Sequence, residues 1–157
     1  MSRINSSSQL NNHAQIAMQF SDTEDSKKMD LPAKILVVED EPISQHIAKF
    51  ALEMRGYQVD IVGTGEKALA LYQTSYYDLI LMDMGLPDIT GIDVTCKIRE
   101  IEQSTGKHIP IIALTAHGDF AKQHCLSAGM DDFTTKPFEF AQIDNIIKKW
   151  IKKSQNS

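Results

Sequence analysis

From residue 34 onward, short unbroken apolar runs alternate with stretches whose apolar residues recur every three or four positions. The runs are Lys34-Ile35-Leu36-Val37-Val38, Leu79-Ile80-Leu81-Met82 ending on Asp83, and Ile109 to Leu114 ending at Thr115, while Tyr57 to Val62 and the short Asp131 to Thr135 read as two further, more polar strands. Runs that are continuous rather than alternating predict strands covered on both faces, as in a parallel sheet. The first helix follows Pro42, a residue suited to an opening turn. Its apolar positions are Ile43, Ile47, Phe50/Ala51 and Met54, and Gly56 suits its end. Further helices are predicted from Glu66 to about Gln73, from Gly91 with Val94, Ile98 and Ile101 on one face, and around Ala121, Cys125 and Ala128 up to Gly129. A last helix carries Phe140, Ile143, Ile147 and Trp150 on one side, with Lys148, Lys149, Lys152 and Lys153 near its end. Strand and helix alternate five times, so the expected fold is α/β, a parallel sheet with helices on both faces.

Composition changes this picture at the ends. Residues 1–33 are polar, with Ser6-Ser7-Ser8, Asn11-Asn12 and a charged stretch from Ser21 to Asp30. They read as a flexible tail, with Ala14 to Phe20 able to form a short helix. The folded domain is expected over 34–153, followed by a short tail at 154–157. A net charge of −5 does not favour nucleic acid. No apolar run is long enough for a membrane span, and the N-terminus lacks the apolar centre of a signal peptide. The expected location is the cytoplasm, where Cys96 and Cys125 would be small core residues rather than a disulfide.

The chemistry lies at the strand ends. Strand one ends on Glu39 and Asp40, strand three on Asp83, strand four on Thr115, and strand five on Lys136. In open α/β sheets the C-terminal edge is where ligands bind. If the four strands are neighbours, three carboxylates converge, and they repel unless a cation joins them. A hard divalent ion such as Mg²⁺ suits such oxygen ligands. A hydroxyl and an ammonium beside them would support phosphoryl transfer to a carboxylate. Read singly, each residue has a plainer explanation. Glu39-Asp40-Glu41 could open a helix, Thr115 could cap one, Phe133 could be core, Lys136 could be solvated, and Asp83 could be a turn residue. Of the histidines, only His117 falls near the cluster, two residues past Thr115.

Together, Glu39-Asp40, Asp83 with Pro87 four residues on, Thr115-Ala116 and Lys136-Pro137-Phe138 resemble the receiver domain of two-component response regulators. The resemblance covers roughly Lys34 to Lys153. It implies a flavodoxin-like (βα)5 sheet of order 2-1-3-4-5. It implies Asp83 as phosphoacceptor and a Mg²⁺ site at Asp40, Asp83 and the Gly85 carbonyl, with Glu39 assisting. It assigns Lys136 and Thr115 to the phosphoryl group and Phe133 to the switch aromatic, and makes the Lys136–Pro137 bond cis. The domain would catalyse its own phosphorylation and dephosphorylation, with a sensor histidine kinase or histidine phosphotransfer domain as donor. The wording of Val38 to Pro42 and Leu86 to Gly91 is closest to receivers attached to hybrid histidine kinases. No output domain follows Lys153, so the chain would act alone or as a piece of a larger protein.

Two other readings stand beside it. One is a pseudo-receiver that binds partners without taking phosphate. The other is a dinucleotide-binding domain, because Gly63-Thr64-Gly65-Glu66-Lys67-Ala68 fits G-x-G-x-x-A, with Asp83 at 18 residues past Gly65. That motif should follow the first strand, however, and here it follows the second. Asp83 as the nucleophile of a dehalogenase-type hydrolase lacks the second Asp, because that position is Gly85.

Overall fold

The computed structural model describes residues 31–116, 118–137 and 139–156 of the chain. Nearly all of the expected N-terminal tail lies outside the described residues, together with its Ala14 to Phe20 segment, His13, His117 and Phe138. Five strands, β1 (Lys34–Val38), β2 (Gln58–Val62), β3 (Leu79–Asp83), β4 (Ile111–Thr115) and β5 (Asp132–Thr135), alternate with five helices. The helices are α1 (Pro42–Met54), α2 (Gly65–Thr74), α3 (Gly91–Thr105), α4 (Gly118–Ser127) and α5 (Phe140–Gln155). The last helix continues two residues past Lys153, where the sequence places the domain boundary.

All strand pairs are parallel, in the order β2-β1-β3-β4-β5. The central strands β3 and β4 are buried along their whole length, as their unbroken apolar runs require. Their side chains alternate between two cores. Leu36, Val38, Ile80, Met82, Ile111 and Ala113 pack with Ala68, Val94, Ile98 and Cys125 of α2, α3 and α4. Ile35, Val37, Leu79, Leu81, Ile112 and Leu114 pack with Ala48, Leu52, Ile143 and Ile147 of α1 and α5. The sheet is thus covered on both faces by helices.

Two expectations are corrected. Of the apolar positions expected along α1 only Ala51 is buried, beside Ala48 and Leu52; Ile43, Ile47, Phe50 and Met54 are 67%, 47%, 69% and 71% exposed. Cys96 is exposed on α3, and only Cys125 is a core residue.

Helix ends follow local chemistry. Glu41 accepts from the backbone N–H of Ile43 and Ser44 and so caps α1. Thr64 and Thr90 cap α2 and α3 through Lys67 N and Asp93 N. Gly106 ends α3 at φ 71°, a backbone conformation in which a side chain would be strained.

Candidate functional site

The sheet order makes β1, β3, β4 and β5 consecutive neighbours, so the groups at their C-terminal ends meet on one edge. The ladder continues beyond the strands and holds those groups in place. Glu39 N donates to Val62 O at 3.0 Å, Met84 N to Leu114 O at 3.1 Å, and Lys136 N to Thr115 O at 2.8 Å. Carboxylate oxygens of Glu39, Asp40 and Asp83 all lie within 4.8 Å of one another. Glu39 and Asp83 are buried and Asp40 is exposed. Lys136 Nζ donates to Glu39 Oε2 at 2.5 Å and lies 3.4 Å from Asp83 Oδ1. The Lys136–Pro137 bond is cis.

Neighbouring backbone groups orient the acids. Glu41 N donates to Glu39 Oε1 at 3.2 Å, and Gly85 N donates to Asp83 Oδ1 at 3.2 Å. The start of α3 presses against the end of β3. A Cβ at Gly91 would stand 2.4 Å from the Asp83 carbonyl oxygen, so only glycine permits this approach.

Burial, and then the nearby Asp83, push the Glu39 carboxyl above its ordinary range against the pull of the Lys136 hydrogen bond. Burial also works against charge on Lys136, but the Glu39 hydrogen bond and Asp83 outweigh it and raise the ammonium's pKa. The site therefore keeps its cation, while a buried acid is held at a cost. With all groups ionised, three carboxylates face one ammonium and two negative charges stay unbalanced. The donor set, hard oxygens with that residual charge, fits one divalent cation such as Mg²⁺.

Thr115 and Phe133 occupy different levels of the sheet. Thr115 is buried at the end of β4 and pairs with Thr135, while Phe133 pairs with Ala113. Phe133 is half-buried and packs on the core that holds Ala121 and Cys125, with Lys122 Nζ 5.7 Å from its ring centre.

A model of the response regulator receiver domain matches residues 35–148. The chain belongs to the response regulator receiver family. The receiver is 41% identical over 139 residues to hybrid signal transduction histidine kinase I of Dictyostelium discoideum, a match covering 81% of this chain and 8% of that protein. The chain thus spans less than a tenth of that relative. It is also similar to the crystal structure of the receiver domain of sensor histidine kinase PA1611 from Pseudomonas aeruginosa. That match has a TM-score of 0.71 at 39% identity and covers 77% of this chain and 98% of that one. A magnesium ion is coordinated in the active-site cleft of that neighbour. A third match, with TM-score 0.72 at 28% identity, covers 76% of this chain and 88% of a yeast receiver domain crystallised with a histidine phosphotransfer signalling protein. Receiver domains of this kind serve two-component and phosphorelay signalling.

The glycine-rich turn that invited a dinucleotide reading has another role in this receiver. It follows the edge strand β2, not a strand at the β1/β3 switch point. The N–H groups of Gly65 and Glu66, which a phosphate would use, donate to Asp88 at 2.9 and 3.0 Å. Gly65 is required for packing, since a Cβ there would meet Ile89 Cγ1 at 2.4 Å. Sequence reading missed Asp88. It also missed Gln45, whose side-chain amide donates to the Glu39 carbonyl at 2.5 Å. The spacing of Gln45 from Glu39 reflects a helical turn folding back on its own loop, a signal too common to single out.

Proposed function

We propose that this receiver accepts a phosphoryl group on Asp83 from a phosphohistidine of a sensor histidine kinase or histidine phosphotransfer protein, with Mg²⁺ as cofactor. The observation that carries the reading is the convergence of three carboxylates and one ammonium at the C-terminal edge of a parallel sheet. Asp40, Asp83 and the Gly85 carbonyl would hold the cation, with Glu39 assisting. When bound, the cation neutralises charge on the transferring oxygens. An Asp83 oxygen forms the new bond to phosphorus as the donor's nitrogen–phosphorus bond breaks. The departing imidazole keeps that electron pair. Lys136 then pairs with a phosphoryl oxygen in place of Glu39 or Asp83. The Thr115 hydroxyl donates to another and draws the end of β4 toward the site. Hydrolysis of the acyl phosphate returns the carboxylate. The phosphohistidine donor is supported by the hybrid kinase among the relatives and by the neighbour crystallised with a phosphotransfer protein. The reading places the reaction in the cytoplasm. No described helix is long and apolar enough to cross a membrane.

The experiment is phosphorylation by acetyl phosphate with Mg²⁺, read by intact mass. One added phosphoryl group is expected, lost in Asp83→Ala and in chelator. Labelling of that variant at another residue would overturn the assignment. Beryllofluoride, an analogue of the phosphoryl group, should shift NMR signals of Thr115, Phe133 and residues 116–128. Thr115→Ala should still be phosphorylated and should lose the distant shifts. If it keeps them, Thr115 does not carry the switch.

A further inference from the structure

The turn between β2 and α2 supplies no group to the acidic cluster, yet it touches both loops that do. On one side Gly63 leaves room for Gln45, whose Nε2 would lie 3.4 Å from a Cβ there, and Gln45 holds the Glu39 carbonyl. On the other side, Gly65 lies against Ile89 and Val94 so closely that a Cβ would meet Val94 Cγ2 at 2.7 Å. Asp88 belongs to that second loop. Its two carboxylate oxygens take separate bonds, Oδ1 from Gly65 N at 2.9 Å and Oδ2 from Glu66 N at 3.0 Å. These are first-turn amides that α2 cannot satisfy internally. The helix has its own cap, since Thr64 accepts from Lys67 N. Asp88 is therefore a second support, reaching from a different loop. The Gly65 and Glu66 amides hold its carboxyl down at about 2, so it is ionised at any working pH.

The stretch from Asp83 to Asp88 is tied at both ends. At one end Met84 N bonds Leu114 O and Gly85 N bonds Asp83 Oδ1. At the other, Asp88 is fastened to α2. Between them Gly85 stands in the open, with no atom within 4 Å of where a Cβ would be. Its neighbours Met84 and Leu86 pack on the core, so the end ties act together with that packing to place the Gly85 backbone.

We infer that Asp88 is a positioning residue: by anchoring the β3–α3 loop to the first turn of α2, it holds the Gly85 carbonyl beside Asp83 in the arrangement that accepts a divalent cation. This rests on the reading of Asp83 and Gly85 as cation ligands. Asp88 itself touches neither the cation nor the phosphoryl group.

The test is Mg²⁺ titration of the whole chain by calorimetry, with amide hydrogen exchange of the metal-free protein alongside. Asp88→Ala should weaken Mg²⁺ binding on the order of tenfold, as loss of outer supports to metal ligands does. It should also speed exchange at Gly65, Glu66 and the amides from Met84 to Ile89. Asp88→Asn keeps one acceptor oxygen and should fall between alanine and wild type. Asp88 is exposed, so both variants should fold. Wild-type affinity in both variants, with faster exchange confined to Gly65 and Glu66, would make Asp88 a helix cap alone and overturn the inference. Equal weakening in both would trace the effect to lost charge and overturn it as well. If the wild type itself binds no Mg²⁺, the reading of the acidic cluster fails, and the inference falls with it. The wild-type titration separates that failure from the others.

Discussion

Neutralising Asp40 should stabilise the metal-free protein while weakening its cation site. Asp40 lies within 4.8 Å of both Glu39 and Asp83. Among the described residues Lys136 is the cation paired with the cluster, and it pairs with Glu39 and Asp83. The cap of α1 is Glu41, not Asp40. Asp40→Asn therefore relieves two repulsions without breaking an ion pair or a cap. At that separation each repulsion is about 0.9 kcal/mol in bulk water and about 3.5 kcal/mol at an effective dielectric of 20. Asp40 is exposed, so the aqueous end applies, and the total is on the order of 2 kcal/mol. A domain of this size gains about 3–5 °C per kcal/mol, which gives a rise in Tm on the order of 5–10 °C. The assay is thermal or urea unfolding in chelator at low salt. Repeated in ~1 M NaCl, where the screening length is only about 3 Å, the difference should collapse. Added Mg²⁺ should reverse the order, because binding stabilises the wild type by about 2.7 kcal/mol at a concentration of a hundred times Kd. If Asp40→Asn is no more stable than wild type in chelator and low salt, the three carboxylates do not repel as their spacing implies.

Two further outcomes test the same geometry. The Glu39 carboxyl sits above its ordinary 4.5 in the fold, raised by burial and then Asp83. Ionised Glu39 therefore costs stability above its folded pKa, and acidification through that value toward 4.5 relieves the cost. In chelator, the stability of wild type relative to Glu39→Gln should rise as pH falls through that window. A pH-independent difference in urea unfolding would refute the shift. Asp60 and Asp144 run the other way: their lowered carboxyls lose stability as pH falls below 3.8 and through their folded values. Finally, Gly65→Ala would place a Cβ 2.4 Å from Ile89 Cγ1 and 2.7 Å from Val94 Cγ2. It should destabilise the domain by about 1–3 kcal/mol. An unchanged urea midpoint would show that the β3–α3 loop yields freely.

The sequence by itself determined the alternation of elements and the residues at the strand ends. Unbroken apolar runs such as Ile35 to Val38 and Leu79 to Met82 can be accommodated only where both sides of a strand are covered, so they mark central strands directly. A polar residue that ends such a run must emerge at the sheet edge, which is why Glu39, Asp83 and Thr115 could be named in advance, whereas Lys136 follows the polar strand Asp132–Thr135. The strand order came from the resemblance to receivers, because periodicity carries no information about which strands are neighbours. Tertiary structure alone decided which face of α1 is inward. Two apolar stripes overlap on that helix, one of Ile43, Ile47, Phe50 and Met54, the other of Ala48, Ala51 and Leu52. Packing against Ile35, Val37 and Leu81 of the sheet selected the second. It also decided the role of Gly63 to Ala68, whose spacing alone fits a phosphate-binding turn. The carboxylate that takes its amides, Asp88, comes from a loop 23 residues on. Pairings across such separations, like that of Lys136 with Glu39 over 97 residues, exist only after the sheet has set its strand order. Local pattern ends where contacts depend on which loops the sheet brings together.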